Sequence, residues 1–152
     1  MDREKLLQQK IGLVLSGLGN LSKIFAVQTF AAKKLKITPE QFTVLAVLYE
    51  NDGIYQRQLS AMTLKDRPNI SRIVTILENM GYITKVQESN GRKVLKLSVT
   101  EAGRKIYEDT LPVILSIWAA TAEGISDEEL DSFNRVQAKL RKNLLDKVNI
   151  QI

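Results

Sequence analysis

The sequence of 152 residues contains no cysteine and no histidine. Without cysteine the chain cannot form a disulfide, a thiolate metal site or a cysteine redox switch. Without histidine it lacks the commonest metal ligand and the commonest general base. The candidate acids Asp66, Glu78 and Glu88 accompany no nucleophile–base pair and no glycine-rich loop. We therefore expect no enzyme activity, no catalytic residues, no metal site and no cofactor.

Long apolar runs are missing as well. No stretch of about 18 residues is both apolar and uncharged, so we expect no membrane span. The first residues mix both charge signs and are followed by no cleavage site, so we expect no signal peptide and a cytoplasmic location. With 44% hydrophobic and 26% charged residues, the composition is typical of one globular domain spanning residues 1–152.

The net charge of +5 is unevenly distributed. Residues 54–105 contain ten basic and four acidic residues, a balance of +6, whereas the remainder contains 12 basic and 13 acidic residues. A positive central segment is typical of a surface that binds a polyanion, and equally of a solvated lysine-rich surface.

Apolar spacing and capping residues predict six helices and one hairpin. The first helix spans residues 6–35, although its glycines at 12, 17 and 19 weaken it. Thr38 and Gln41 form a capping box that starts the second helix, which stops at Gly53. A short helix covers residues 56–63, and a fourth covers 68–81.

The fourth helix has two different faces. Ile70, Ile73, Val74 and Leu77 form an apolar stripe, and Pro68, Ser71, Arg72 and Thr75 lie opposite. After Gly81 the period changes to two, and residues 82–87 and 94–99 flank an Asn-Gly turn, which predicts a hairpin.

Two helices follow the hairpin. Thr100 caps the fifth, which runs to about Glu123, and Pro112 is expected to kink or split it. Ser126 and Glu129 form the capping box of the sixth.

This order of elements predicts a helix-turn-helix followed by a wing. Arginine can donate two hydrogen bonds to guanine and asparagine can pair with adenine in the major groove, which Arg72 and Asn69 would do. Amides at the start of the fourth helix could face a phosphate, and Arg92 at the hairpin tip suits the narrow minor groove. Other interpretations stay open, namely that Arg72 pairs with Glu78 or that the module binds a protein rather than DNA.

Six segments carry a resemblance to a known family. They are residues 37–45, 58–60, 65–74, 77–83, 91–93 and 97–104, the last reading Leu-Ser-Val-Thr-Glu-Ala-Gly-Arg. Together they resemble the MarR family of bacterial transcriptional regulators over residues 37–105. The hairpin and the segment that follows it are the most specific part. The chain departs from the family at Asn90-Gly91-Arg92, where the usual wing reads Asp-x-Arg, and at Tyr55, where a small capping residue is usual.

The resemblance implies a homodimer that binds a pseudo-palindromic double-stranded DNA site, in most members as a repressor. It implies a winged helix-turn-helix lobe over residues 37–100 and helical dimerisation regions over 1–35 and 101–152. It also implies a possible small aromatic or phenolic effector, for which we assign no ligand-binding residues. The predicted DNA-contacting residues are Lys65, Arg67, Pro68, Asn69, Ser71, Arg72, Thr75, Asn90, Arg92 and Lys93.

Dimerisation also has a physical argument independent of the resemblance. The terminal helices carry more large apolar side chains than a small lobe can cover, and burying each is worth about 1.5–3 kcal/mol. These are Leu13, Val14, Leu15, Leu18, Leu21, Ile114, Leu115, Ile117 and Trp118. The sequence therefore predicts that a second copy covers them.

Overall fold

A computed structural model describes residues 3–89 and 93–149. The elements follow in the order α1 (Arg3–Ala32), α2 (Pro39–Glu50), β1 (Ile54–Tyr55), α3 (Gln56–Thr63), α4 (Arg67–Asn79), β2 (Ile83–Ser89), β3 (Lys93–Val99), α5 (Glu101–Thr121) and α6 (Asp127–Leu145). The predicted mainly α architecture with a small hairpin wing is thereby confirmed.

Capping side chains fix where the helices begin. The Thr38 hydroxyl accepts from the Gln41 N–H at 3.2 Å, and the Gln41 side chain accepts from the Thr38 N–H at 3.0 Å. Ser126 and Glu129 repeat this reciprocal pair at the start of α6. Each box satisfies amides that a helix leaves without an internal partner, so both predicted starts are confirmed.

The starts of α3 and α4 follow a different chemistry from the one expected. The Tyr55 N–H donates to the Gln58 side chain at 3.0 Å, so a glutamine three residues later marks the start of α3. Helix α4 begins at Arg67, because the Asp66 carboxylate accepts from the Asn69 N–H at 2.8 Å. Asp66 is thus a helix cap that the pattern of residues had not indicated.

Two expectations are corrected by the structure. Helix α5 is continuous across Pro112, so the split, one of the two outcomes expected there, does not occur, although proline removes one helical N–H. The fully buried Thr110 and the nearly fully buried Ile117 hold the helix against the core on either side of the proline. The hairpin also gains a third strand, because β1 pairs with β3 at Ile54–Leu97 and Tyr55–Lys96 and gives the sheet order β1-β3-β2.

The hydrophobic core lies in the lobe built by α2–α4 and the sheet. Its buried side chains, apart from Phe30 of α1 and Ile117 of α5, all lie between Ile37 and Val99. The predicted stripe of α4, from Ile70 to Leu77, is buried as expected. The core therefore holds α4 by one side and leaves its other side facing outward.

The base of the hairpin is fastened to the start of α5. The Thr100 hydroxyl donates to the Gly81 carbonyl at 2.6 Å, and the Thr100 N–H donates to the Tyr82 carbonyl at 3.0 Å. Gly81 has a φ of +75°, a left-handed conformation that favours glycine. A Cβ at Gly103 would overlap the Tyr82 carbonyl oxygen, so only glycine permits this approach.

Helices α1 and α6 leave much of their apolar surface without cover in the single chain. Helix α6 has no buried residue, and Leu13 and Leu21 of α1 are 75% and 66% exposed. Trp118 and Leu115 of α5 are also exposed, but Ile117 belongs to the core, which corrects its assignment to the uncovered face. By length and composition alone, residues Lys10–Ala32 would suffice to cross a membrane, with a mean hydropathy of 1.3.

Candidate nucleic-acid interface

The outward face of α4 is the candidate DNA-reading surface. Arg67, Pro68, Ser71, Arg72 and Thr75 are exposed, as the helical period predicts, while the buried stripe anchors the opposite face. Short side chains along most of this face allow the helix to approach closely, and the major groove is wide enough to admit one helix.

Two polar side chains on this face are joined to each other. The Arg72 guanidinium donates to the Asn69 side-chain oxygen at 3.2 Å. Arg72 therefore pairs with Asn69 and not with Glu78. The Glu78 carboxylate instead lies 2.6 Å from the Lys85 ammonium. The bond holds the two candidate base-reading groups side by side, and most donors of the guanidinium stay available.

Thr75 is connected both to its own helix and to the wing. Its hydroxyl donates to the Ser71 carbonyl at 2.9 Å and accepts from the Lys85 ammonium at 3.3 Å. Because Lys85 belongs to β2, one ammonium ties the wing to the outward face of α4 through Thr75 and Glu78.

The turn between α3 and α4 is closed by local hydrogen bonds. The Ser60 hydroxyl donates to the Lys65 carbonyl at 2.6 Å, and Leu64 adopts a left-handed conformation with φ of +53°. The Asp66 carboxylate accepts a hydrogen bond from the Asn69 N–H, and the Asp66 carbonyl accepts one from the Ile70 N–H. These two amides are therefore engaged, which corrects the expectation that the start of α4 offers them to a phosphate.

Lys65 differs from the other predicted contact residues. Its side chain is 19% exposed, and its ammonium lies 3.3 Å from the Glu40 carboxylate, which also contacts Lys23 of α1 at 3.5 Å. Burial by itself raises the pKa of Glu40. The hydrogen bonds and positive charges of Lys65 and Lys23 together lower it by more than burial raises it, so the pKa of Glu40 falls below its ordinary value. The three charges join α1, the start of α2 and the α3–α4 turn.

The wing is an antiparallel hairpin in register from Ile83–Val99 to Ser89–Lys93. This pairing confirms the predicted strands, with β2 extending two residues beyond the expected end at Gln87. Lys93 begins β3, whereas Asn90 and Arg92 lie outside the described residues. The structure therefore provides the base of the wing but not the geometry of its predicted DNA-contacting tip.

Sequence reasoning gave no positioning role to Glu40, Asp52 or Lys85, which support the interface rather than form its surface. Each makes polar contacts with residues at least ten positions away along the chain. Helical period and capping patterns describe neighbours within one element, so they carried no information about these contacts.

A basic winged helix-turn-helix with an outward-facing second motif helix defines the class of DNA-binding transcriptional regulators. A family model described as MarR family matches residues 35–93. The HTH-type transcriptional regulator YybA of Bacillus subtilis is 31% identical over 143 residues, covering 90% of this chain and 87% of the relative. The chain belongs to the MarR family and is a DNA-binding transcriptional regulator, not an enzyme.

Solved structures share the fold. BpsR of Bordetella bronchiseptica, whose DNA binding is regulated by 6-hydroxynicotinic acid, aligns with a TM-score of 0.79 at 19% identity over 87% of this chain and 98% of its own. MepR of S. aureus, solved in complex with DNA, aligns with a TM-score of 0.74 at 20% identity over 86% of this chain and 94% of its own. At these identities the likeness concerns the architecture alone.

Proposed function

We propose that two copies of this chain bind one pseudo-palindromic duplex and repress transcription. Each copy inserts its α4 into a major groove, and the two grooves are one helical turn apart. The observation that carries this proposal is the outward face of α4. On this face Arg72 is exposed, Asn69 is half-buried, and the two side chains are hydrogen-bonded to each other. The apolar stripe on the opposite face of the helix is buried in the core.

Individual residues take different parts in the proposed complex. Arg72 and Asn69 read base edges, while Ser71, Thr75 and Pro68 permit close approach. Arg67 contacts phosphate, and Lys65 does so in competition with Glu40, its partner in the free chain. At the wing, Arg92 enters the minor groove, with Asn90 and Lys93 beside it.

We also propose that the uncovered helices pair with those of a second copy. Residues 37–100 would form the DNA-binding lobe, and residues 1–35 and 101–152 the dimerisation region. Polar residues such as Ser16, Asn20 and Lys23 interrupt the apolar α1 segment, which favours a protein partner over a lipid core for this helix. A dimer of this kind would act in the cytoplasm.

A small aromatic or phenolic acid is the proposed effector. A groove of about 360 Å³ lies between α1, the start of α2 and α4, with Lys23, Glu40 and Arg72 among its lining residues. An acid bound there could pair with Lys23 or Arg72 and would draw Arg72 away from DNA. BpsR, whose DNA binding is regulated by 6-hydroxynicotinic acid, is a precedent for an aromatic acid as the effector, not for its location in this groove.

The test begins with duplexes selected from a random library, whose affinity is measured by fluorescence anisotropy over a range of salt concentrations. Affinity should fall steeply with salt, because several phosphates are neutralised per copy. Arg72→Ala should cost about 1–3 kcal/mol in binding free energy and relax base preference at one position of each half-site.

Arg135 supplies the matched control. It lies on α6, and its guanidinium bonds Ser132 three residues earlier, as Arg72 bonds Asn69. Arg135→Ala removes the same charge and the same local contact away from α4, so affinity should hardly change. Equal affinities for the two variants would contradict the proposed role of α4.

A further inference from the structure

The turn between α2 and β1 contains a carboxylate that the DNA-binding function has not yet explained. One Asp52 oxygen accepts from the Val99 N–H at 3.0 Å, and the other accepts from the Arg104 guanidinium at 3.1 Å. Val99 ends β3 of the wing, and Arg104 lies in the first turns of α5. Asp52 thus connects the base of the wing to α5.

The register of the sheet shows why a side chain is needed at this point. Strand β1 pairs Ile54 with Leu97, and the Gly53 N–H still donates to the Leu97 carbonyl at 2.9 Å. Continuing this antiparallel register would place residue 52 opposite Val99, but β1 has already ended. The Asp52 carboxylate replaces the missing backbone acceptor and extends the ladder by one bond.

Arg104 is itself held by further contacts. Its guanidinium carbon lies 5.5 Å from the centre of the Tyr49 ring, and the Tyr49 hydroxyl donates to Glu108 at 3.1 Å. Tyr49 also stacks on Tyr107 with ring centres 4.1 Å apart. These contacts join the end of α2 to α5 and give the Asp52–Arg104 pair a fixed support.

Asp52 and Arg104 are 42% and 43% exposed, so their ion pair contributes little to folding stability. Its contacts are nevertheless placed to position β3 relative to α5, because one carboxylate joins the last residue of β3 to the first turns of α5. We propose that Asp52 is a positioning residue. It would hold the wing, relative to α2 and α5, in the position from which the wing contacts DNA. This inference rests on the proposed function of the wing and of Arg92.

The sign of the expected effect separates positioning from simple electrostatics. Asp52→Ala removes a negative charge, so long-range attraction alone would strengthen DNA binding. Positioning predicts the opposite, a loss of about three- to tenfold in affinity for the selected duplex. Asp109→Ala is the control, since Asp109 is an exposed α5 carboxylate paired with Lys105 at 3.3 Å. Its removal should leave affinity unchanged or slightly increased.

A double-mutant cycle with Arg92→Ala locates the effect. If Asp52 acts through the wing, Asp52→Ala should cause almost no further loss once Arg92 is absent, but should keep its full effect in an Arg72→Ala background. Thermal unfolding of every variant should stay near that of the parent chain. If Asp52→Ala fails to fold, Asp52→Asn replaces it in the cycle; it keeps an acceptor for the Val99 N–H but removes the charge that pairs with Arg104, so a smaller loss is expected that again disappears in the Arg92→Ala background.

Three results would overturn the inference. Unchanged or tighter binding by a folded Asp52→Ala variant would show that the position of the wing does not depend on this carboxylate. An equal loss with and without Arg92 would show that Asp52 acts elsewhere than through the tip. If Arg92→Ala alone left affinity unchanged, the proposed function of the wing would fail, and this inference with it, whereas the role of α4 would still be judged by Arg72→Ala.

Discussion

The Lys85 ammonium lies 2.6 Å from the Glu78 carboxylate, so strand β2 and helix α4 are joined by an ion pair beside the proposed DNA-reading face. The same ammonium is 3.3 Å from the Thr75 hydroxyl. Glu78 thereby neutralises a cation that would otherwise be available to a phosphate, and it places a negative charge close to the path of DNA.

Replacing Glu78 should therefore strengthen DNA binding. In Glu78→Gln, Lys85 loses its counter-charge and can pair with a phosphate, so affinity for a duplex of arbitrary sequence should rise about two- to fivefold. The slope of log affinity against log salt should steepen by about 0.9 if one phosphate contact is gained. Glu123→Gln, at an exposed glutamate beyond the end of α5, is the control. Anisotropy titrations in which both variants behave alike would contradict the prediction.

Glu40 should make stability depend on pH in the acid range. The pKa of Glu40 is lowered in the folded chain from its ordinary value of 4.5, so its ion pairs stabilise the fold above that pH. This contribution is lost as the pH falls through the lowered folded pKa. The unfolding midpoint of Glu40→Gln should lie below that of the parent near neutral pH, and the gap should close well below pH 4.5. A gap that persisted throughout the acid range would count against the ion pairs as its cause.

Thr110 should tolerate the loss of its hydroxyl and gain stability from it. Its side chain is fully buried, and its hydroxyl has no hydrogen-bond partner among the described residues. Valine has nearly the same shape, so Thr110→Val should raise the free energy of unfolding by about 1 kcal/mol. In the control Thr121→Val, the hydroxyl that is removed donates to the Ile117 carbonyl at 2.8 Å, and no gain is expected. Chemical denaturation that showed a loss for Thr110→Val would indicate a partner for the hydroxyl.

A charge on the uncovered face of α1 should disrupt assembly. Leu18 is 49% exposed in the single chain and lies beside Trp118 and Phe133 in an apolar hollow. Leu18→Arg would bury an unpaired charge in the proposed dimer, so light scattering after gel filtration should show monomers. Val86→Arg, at an equally exposed apolar residue of the wing, should leave the oligomeric state unchanged. A dimeric Leu18→Arg variant would place the dimer interface elsewhere.

Much of the local chemistry within single elements was read correctly from the sequence, although the Asp66 cap of α4 was missed. The capping boxes at Thr38 and Ser126 and the two faces of α4 follow from spacings of three or four residues, and the structure confirms them. The pairing of β2 with β3 also follows from a period of two on either side of a turn.

Most of the other features that sequence reasoning missed depend on the tertiary fold. Strand β1 is only two residues long and exists because β3 offers it an edge. Helix α5 continues through Pro112 because burial on both sides outweighs one lost hydrogen bond. Asp52 could not be singled out from the sequence, because its partners Val99 and Arg104 lie 47 and 52 positions away.

Helix α6 buries no side chain against the rest of its own chain. If α6 packs against a second copy, as proposed, the free energy that holds it in place grows with the concentration of the protein. Dilution should release α6 first and leave the lobe folded. A cell that makes few copies would then hold a regulator weaker at its operator than the contacts of one lobe suggest, and synthesis of the protein would itself adjust the strength of control.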